Sequence, residues 1–196
     1  MGTAERLFPF LFQLLIFVRY KLKTMKKETA IFAAGCFWGV QYYLSKQEGV
    51  ISSAAGFIGG HVRQPSYEVV KAHKSGHVEA VRVVYDADVV SYEDLCKLFF
   101  EIHDPAQMGG QGPDIGPQYE SGIFYNSEDQ KATAEAVIAL LRSLGHEVNT
   151  FMAPVVENPT EDTPVEKIFW EAEPYHQNYY DNEGGSPYCH FRIKKF

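Results

Sequence analysis

Cysteine is scarce in this 196-residue chain: Cys36, Cys96 and Cys189 are the only three, and no two of them form a C-x-x-C pair. That spacing excludes a disulfide framework, a zinc ribbon and a thioredoxin-type redox motif. What remains is a reduced protein with at least one thiol kept for reactivity. Dense Lys/Arg runs are missing from the body of the chain, and the net charge is −7. Nucleic acid is therefore not an expected partner, because phosphate binding needs a basic face. Internal repeats and low-complexity segments are missing too. The apolar N-terminal run Leu7–Val18 (LFPFLFQLLIFV), flanked by Arg6 and Arg19, falls short of the roughly 20 residues that a membrane span requires. No small-x-small cleavage site follows it, since Tyr20-Lys21-Leu22-Lys23 stands there, so it is an incomplete signal peptide. We expect residues 1–27 to form an extension outside the fold, with Met25 (MKKETAIF) as the working start and a cytoplasmic location. A signal or anchor role for residues 7–18 is the alternative and would make the protein membrane-associated or exported.

What is present is ordinary globular composition, 45% hydrophobic and 22% charged, enough for one domain over residues 28–196. Thr29–Ala33 reads as a buried strand entering a turn at Gly35. Phe37, Val40, Gln41 and Leu44 have helical spacing, which puts Cys36 near a helix N-terminus. Val50–Ile58 and His77–Tyr85 (HVEAVRVVY) read as strands, the latter with Glu79, Val81, Val83 and Tyr85 on one face. Ser91 and Asp94 open a helix with the stripe Leu95, Leu98, Phe99 and Ile102. Ser121–Asn126 is a further strand, and Ser127 with Gln130 caps a helix with the stripe Val137, Leu140, Leu141 and Leu144, stopped by Gly145. The expected fold is α/β (α+β): a ferredoxin-like β-α-β-β-α-β sandwich with an added helix and a long, loop-rich, proline-dotted C-terminal tail.

The stretch AAGCFWG, residues 33–39, sets Cys36 and two large aromatics between Gly35 and Gly39. A helix N-terminus favours thiolate over thiol, and flanking glycines leave the sulfur open to a substrate. Phe37 and Trp38 point about 100° apart on a helix, so they are not buried alike, and at least one is expected to line the concavity at Cys36. Glu79, among apolar strand neighbours, has the setting of a carboxyl held protonated by desolvation. Cys96 falls inside the capped helix beside its apolar stripe and reads as structural. His61, His73 and His77 fit no zinc spacing, so no metal is expected.

GCFWG resembles the signature of the A-type peptide-methionine (S)-sulfoxide reductases. GHVEAV at 76–81, QGPDIGPQY at 111–119, Tyr175-His176-Gln177 and Pro187-Tyr188-Cys189 also look like that family's blocks, in order, over roughly Glu28 to Phe196. The resemblance implies reduction of the S-epimer of methionine sulfoxide, in proteins or free, with one enzyme type per epimer. It makes Cys36 the nucleophile and Glu79 the acid. Tyr67 and Tyr119 become hydroxyl donors to the sulfoxide oxygen, and Asp114 a supporting polar group. Phe37 and Trp38 become a wall for the S-methyl group. Cys189, in the Gly-rich tail, becomes the resolving thiol, with thioredoxin (or dithiothreitol in vitro) as reductant and no cofactor. Oxidised proteins or peptides are the implied substrates, and a monomer is expected. Lys71 stands where many members carry another cysteine, Glu120 where an arginine is common, and Gly109-Gly110 replace a more polar pair. A thiol hydrolase or transferase with His176 as base is the rival enzyme reading, and it leaves Cys189 unexplained. A non-enzymatic peptide-binding groove leaves both thiols unexplained.

Overall fold

Residues 30–34 (AIFAA) are apolar at every position, so the second half of β1 (Lys27–Ala34) has no solvent face and lies in the middle of a sheet. The computed structural model describes residues 25–196; the apolar run Leu7–Val18 lies outside them. β2 is Val50–Ile58, β3 Val78–Asp86 and β6 Ser121–Tyr125. The four central strands run β6-β1-β3-β2 with every neighbouring pair antiparallel, which is the split βαβ order expected. Helix α1 (Phe37–Ser45) crosses from β1 to β2, and α3 (Tyr92–Glu101) leads from β3 to β6. A short α2 (Tyr67–Lys71) and two small strands, β4 (Gly110–Gln111) and β5 (Asp114–Ile115), sit in the connections.

Period-two alternation sorts the sheet's side chains into two cores. Phe32, Phe57, Val81, Val83 and Tyr85 meet Phe37, Val40 and Leu44 of α1 and Leu95, Leu98 and Phe99 of α3. Each such side chain contributes about 1.5–3 kcal/mol on burial. The added helix α4 (Glu128–Ser143) lies in the same layer, through Ala134, Val137, Ile138 and Leu141. Leu140 and Leu144, expected on that stripe, are 41% and 52% exposed. Leu140 lies about 100° off Leu141, and Leu144 is already the C-cap. On the opposite face Ile31, Ala33, Ile58, Val78 and Phe124 are covered by Phe151, Val155 and Phe169.

The C-terminal tail is more structured than its prolines suggest. β7 (Phe151–Pro154) joins β6 in parallel and β8 (Trp170–Glu171) joins β2 antiparallel, so the tail supplies both sheet edges. Pro154 ends an edge strand, where a missing N–H is tolerated. After α5 (Tyr179–Glu183) the last residues are tied to α3. Ile193 N–H donates to the Glu101 carbonyl at 2.8 Å, and Arg192 Nε meets the Glu101 carboxylate at 2.9 Å. Lys195 Nζ donates to the carbonyls of Phe100 and His103.

His103 is buried, with Nδ1 donating to the Phe99 carbonyl at 2.6 Å and Nε2 accepting from Ser121 Oγ at 2.7 Å. Burial pulls its pKa down to about 3. Below about pH 6.5 the unfolded chain binds a proton there that the folded chain refuses, so stability falls as pH drops through that window and is untouched above it. The denaturation midpoint should therefore drop from pH 7 to pH 5, with a shallower slope in His103→Gln; equal slopes in the two proteins would refute the assignment.

Candidate active site

Gly35, at φ +93°, turns the chain out of β1 in the left-handed region. Cys36 follows as the N-cap of α1, and its side chain makes no capping hydrogen bond. The first N–H groups of a helix have no intrahelical partner. That of Phe37 donates to the Glu79 carboxyl at 3.0 Å. Glu79 pairs in register with Phe57 of β2 and is 2% exposed, on the helix-covered face of β3. Helix start and strand thus set the sulfur and the carboxyl together.

Tyr67 opens α2, and its N–H donates to Glu173 Oε1 at 3.0 Å. Tyr119 closes the 3-10 turn Pro117–Tyr119. Both tyrosines are half-buried. Burial and then Glu79 raise both hydroxyls, with Cys36 adding to each; Tyr67 reaches about 12. Trp38 is half-buried, stacked on Tyr179 at 3.7 Å between centroids, and its Nε1 donates to His176 Nδ1 at 3.1 Å. The His176 ring also lies 4.5 Å from that of Tyr67 and 5.0 Å from that of Phe37. Phe37 itself is 1% exposed and belongs to the core, so Trp38 is the exposed half of the pair and Phe37 its backing.

Cys189 arrives from the tail. Its sulfur, that of Cys36 and a carboxylate oxygen of Asp114 lie within 4.8 Å of one another. Asp114 accepts from the Tyr188 hydroxyl at 2.9 Å, which ties it to the segment that carries Cys189. Cys36 and Cys189 are each 7% exposed, so Cys189 is buried although it lies in the Gly-rich tail. These three donors could hold a thiophilic cation such as zinc only by occupying both thiols. His77 has no part in this, because its ring engages the Val62 carbonyl and the Gly60 N–H.

The profile described as peptide methionine sulfoxide reductase matches residues 28–196. The curated enzyme "Peptide methionine sulfoxide reductase MsrA" of Methanosarcina acetivorans is 46% identical over 80% of this chain and 79% of its own. The chain belongs to the peptide methionine sulfoxide reductase family. Its fold resembles the crystal structure of reduced Mxr1 from Saccharomyces cerevisiae, with TM-score 0.72, 29% identity, and coverage of 87% of this chain and 97% of that one. Mxr1 solved in complex with Trx2 aligns at TM-score 0.51 and 23% identity over 87% of this chain and 96% of that one. As a member of this family the protein is an oxidoreductase.

In this reductase the electrostatics of Glu79 and Cys36 run the same way. Burial, with the Cys36 sulfur and Asp114, pushes Glu79 well above the usual carboxylate range, against the pull of the Phe37 N–H. Contact with Cys189, then burial, raises the Cys36 thiol, against the Trp38 N–H. The second sulfur and the dry surroundings thus favour the thiol, against the preference of a helix N-terminus for thiolate. The flanking glycines also serve a different end from the one expected. A Cβ at Gly35 would strike Gln111, and one at Gly39 would strike the His190 ring, so the cleared space is filled by protein. His190 and Tyr180 were missed from sequence, and His176, read there only as a family block and a rival base, is found holding Trp38. Tyr180 is raised to about 12 by burial and by the Cys36 and Cys189 sulfurs. The adjacency of Cys189 and His190 was the one available signal.

A buried, neutral Glu79 should show the carboxylic-acid C=O stretch by infrared difference spectroscopy at pH 7, and Glu79→Gln should lose it. A band that disappears on raising the pH only slightly above 4.5 would mean the carboxyl is ionised in the working enzyme.

Proposed function

We propose that this reductase converts the S-epimer of methionine sulfoxide, protein-bound or free, to methionine, with Cys36 as nucleophile and Cys189 as resolving thiol. The observation that carries this is a buried carboxyl tied to the helix that bears Cys36, its pKa pushed up by burial, with a second sulfur within 4.8 Å of the first. Cys36 attacks the sulfoxide sulfur while Glu79 gives its proton to the sulfoxide oxygen. The oxygen ends on Cys36 as a sulfenic acid, the thiol proton replaces the one Glu79 gave up, and methionine leaves. The hydroxyls of Tyr67 and Tyr119 steady the charge on that oxygen; donors so placed are worth about 10²–10³ each in rate elsewhere. Trp38, held by His176 and Tyr179, bounds the S-methyl group, with Phe37 behind it. Asp114 and Tyr188 line the approach of Cys189.

Cys189 then condenses with the sulfenic acid to a disulfide and releases water. Thioredoxin reopens it by thiol–disulfide exchange, and dithiothreitol substitutes in vitro. Two features support that partner. Cys189 also lines a cleft of about 390 Å³ with Ile102, Tyr188, Phe191 and Ile193, from which a reductant can approach, and the yeast relative has been solved in complex with Trx2. The chemistry runs on sulfur alone, without cofactor or metal. The enzyme acts as a cytoplasmic monomer on oxidised proteins and peptides, with no part for nucleic acid. Among the described residues no helix is long and apolar enough to cross a membrane.

With methionine sulfoxide as substrate, Cys36→Ser should be inactive. Cys189→Ser should complete one turnover and then stall with thioredoxin; sustained turnover would remove Cys189 from the cycle. Glu79→Gln should slow the single-turnover step by about 10² or more, and a near-normal rate would take Glu79 out of the mechanism.

A further inference from the structure

His190 is 1% exposed and has its two ring nitrogens on different partners. Nε2 lies 2.6 Å from the Ala34 carbonyl, and Nδ1 lies 3.0 Å from Cys189 Sγ. A carbonyl can only accept, so Nε2 carries the ring proton and Nδ1 presents its lone pair to the thiol. We propose that His190 is the proton acceptor for Cys189 as that thiol attacks the sulfenic acid on Cys36. The proposal rests on the reading of Cys189 as resolving thiol and adds a catalytic residue to it.

The setting is built for this ring. Gly39 has no Cβ where one would collide with the His190 imidazole, and a Cβ added at Gly35 would come within 3.5 Å of Nε2. Ala34, which fixes the tautomer, precedes Gly35 and Cys36 in the chain, so one imidazole is referenced to the strand that delivers the nucleophile and to the tail that delivers its partner. The other groups facing the ring are few. Asp114 favours its charged form, and His103 lies close enough for the two imidazoles to oppose each other's protonation. Burial outweighs Asp114 and keeps His190 neutral near pH 7, ready to accept. An ordinary thiol is only a few per cent thiolate at pH 7, so a base at this step has something to gain.

The step balances. The Cys189 proton passes to Nδ1, and the thiolate attacks the Cys36 sulfur. The S–S bond forms as the S–O bond breaks, and the departing hydroxide takes the proton back from the imidazolium as water. Cys189 is oxidised by one electron-equivalent and the Cys36 sulfur is reduced by one. No outside oxidant or reductant enters.

The test is a rapid-mixing single turnover with methionine sulfoxide and no reductant, following methionine formed and thiols lost from pH 6 to pH 9. Two variants separate base from spacer: His190→Asn keeps an acceptor near Nδ1 that cannot take a proton, and His190→Gln keeps a donor for the Ala34 carbonyl. In both, disulfide closure at pH 7 should slow relative to the methionine burst by about 10² or more. Closure should then climb about tenfold per pH unit towards pH 8.5, as an unassisted thiol ionises. Closure in His190→Asn with the rate and pH profile of the unmodified enzyme would overturn the proposal. Should a variant lose its methionine burst through misfolding, imidazole nitrogen shifts in the unmodified reduced enzyme decide instead: a proton on Nδ1 of His190 refutes the base role. Cys189→Ser keeps the two readings apart. If that variant still loses two thiols per turnover, the resolving role itself fails. If it halts at the sulfenic acid while both His190 variants close normally, only the base is wrong.

Discussion

The N–H of Phe37, donated to a carboxyl buried under the first turn of α1, holds the site in register. A helix start always has such donors to spare, and a carboxyl in a dry sheet needs one. Meeting each other, they lock Cys36 to Glu79 through two regular elements rather than through loops. Sites carried on helices and strands hold their geometry better than sites on loops. Burial outweighs the bond and pushes the Glu79 pKa up, so the contact positions the carboxyl while its surroundings favour the neutral form.

Around that pair the tail completes what the sandwich leaves open. The Gln177 side chain mimics a strand residue, accepting from the Ala55 N–H at 2.8 Å and donating to the Ala55 carbonyl at 2.9 Å. That clamp sets His176 against Trp38 and Tyr67. Further on, Glu101 anchors Arg192 and Ile193 and so carries Cys189 over the helix start. The rings that hold Trp38 and the second sulfur thus come from one segment fastened at two points.

The local patterns were readable in the sequence because they are made by neighbours in the chain. The stripe Leu95, Leu98, Phe99 and Ile102, the capping box of Ser91 and Asp94 and the strand order follow from periodicity and turn chemistry, and all are present. The misreadings share a cause, which is a partner distant in sequence. Leu140 fits a helical stripe as well as Ile138 does, and only the position of α3 selects between them. Gly39 looks like an opening for substrate until His190, from the far end of the chain, is found against it. Helix position alone favours a thiolate at Cys36, and the neighbour that opposes it, Cys189, comes from the far end of the chain. β7 and β8 are short and Pro-flanked, and exist because β6 and β2 offer free edges. The candidate residues named through family resemblance, Glu79 and Tyr119 among them, rest on a different basis: their blocks keep the family's order and spacing.

The two sulfurs that meet in the site come from opposite ends of the domain, one just after the first strand and one in the final eight residues. Joining them closes nearly the whole domain into a ring. Cross-links over such spans remove enough freedom from the unfolded chain to be worth roughly 5 kcal/mol in the chain-entropy picture. In the cycle proposed above, a looser molecule alternates with a stapled one. On that proposal the form that waits for its reductant is the sturdier, so oxidative stress would harden the very enzyme that reverses it.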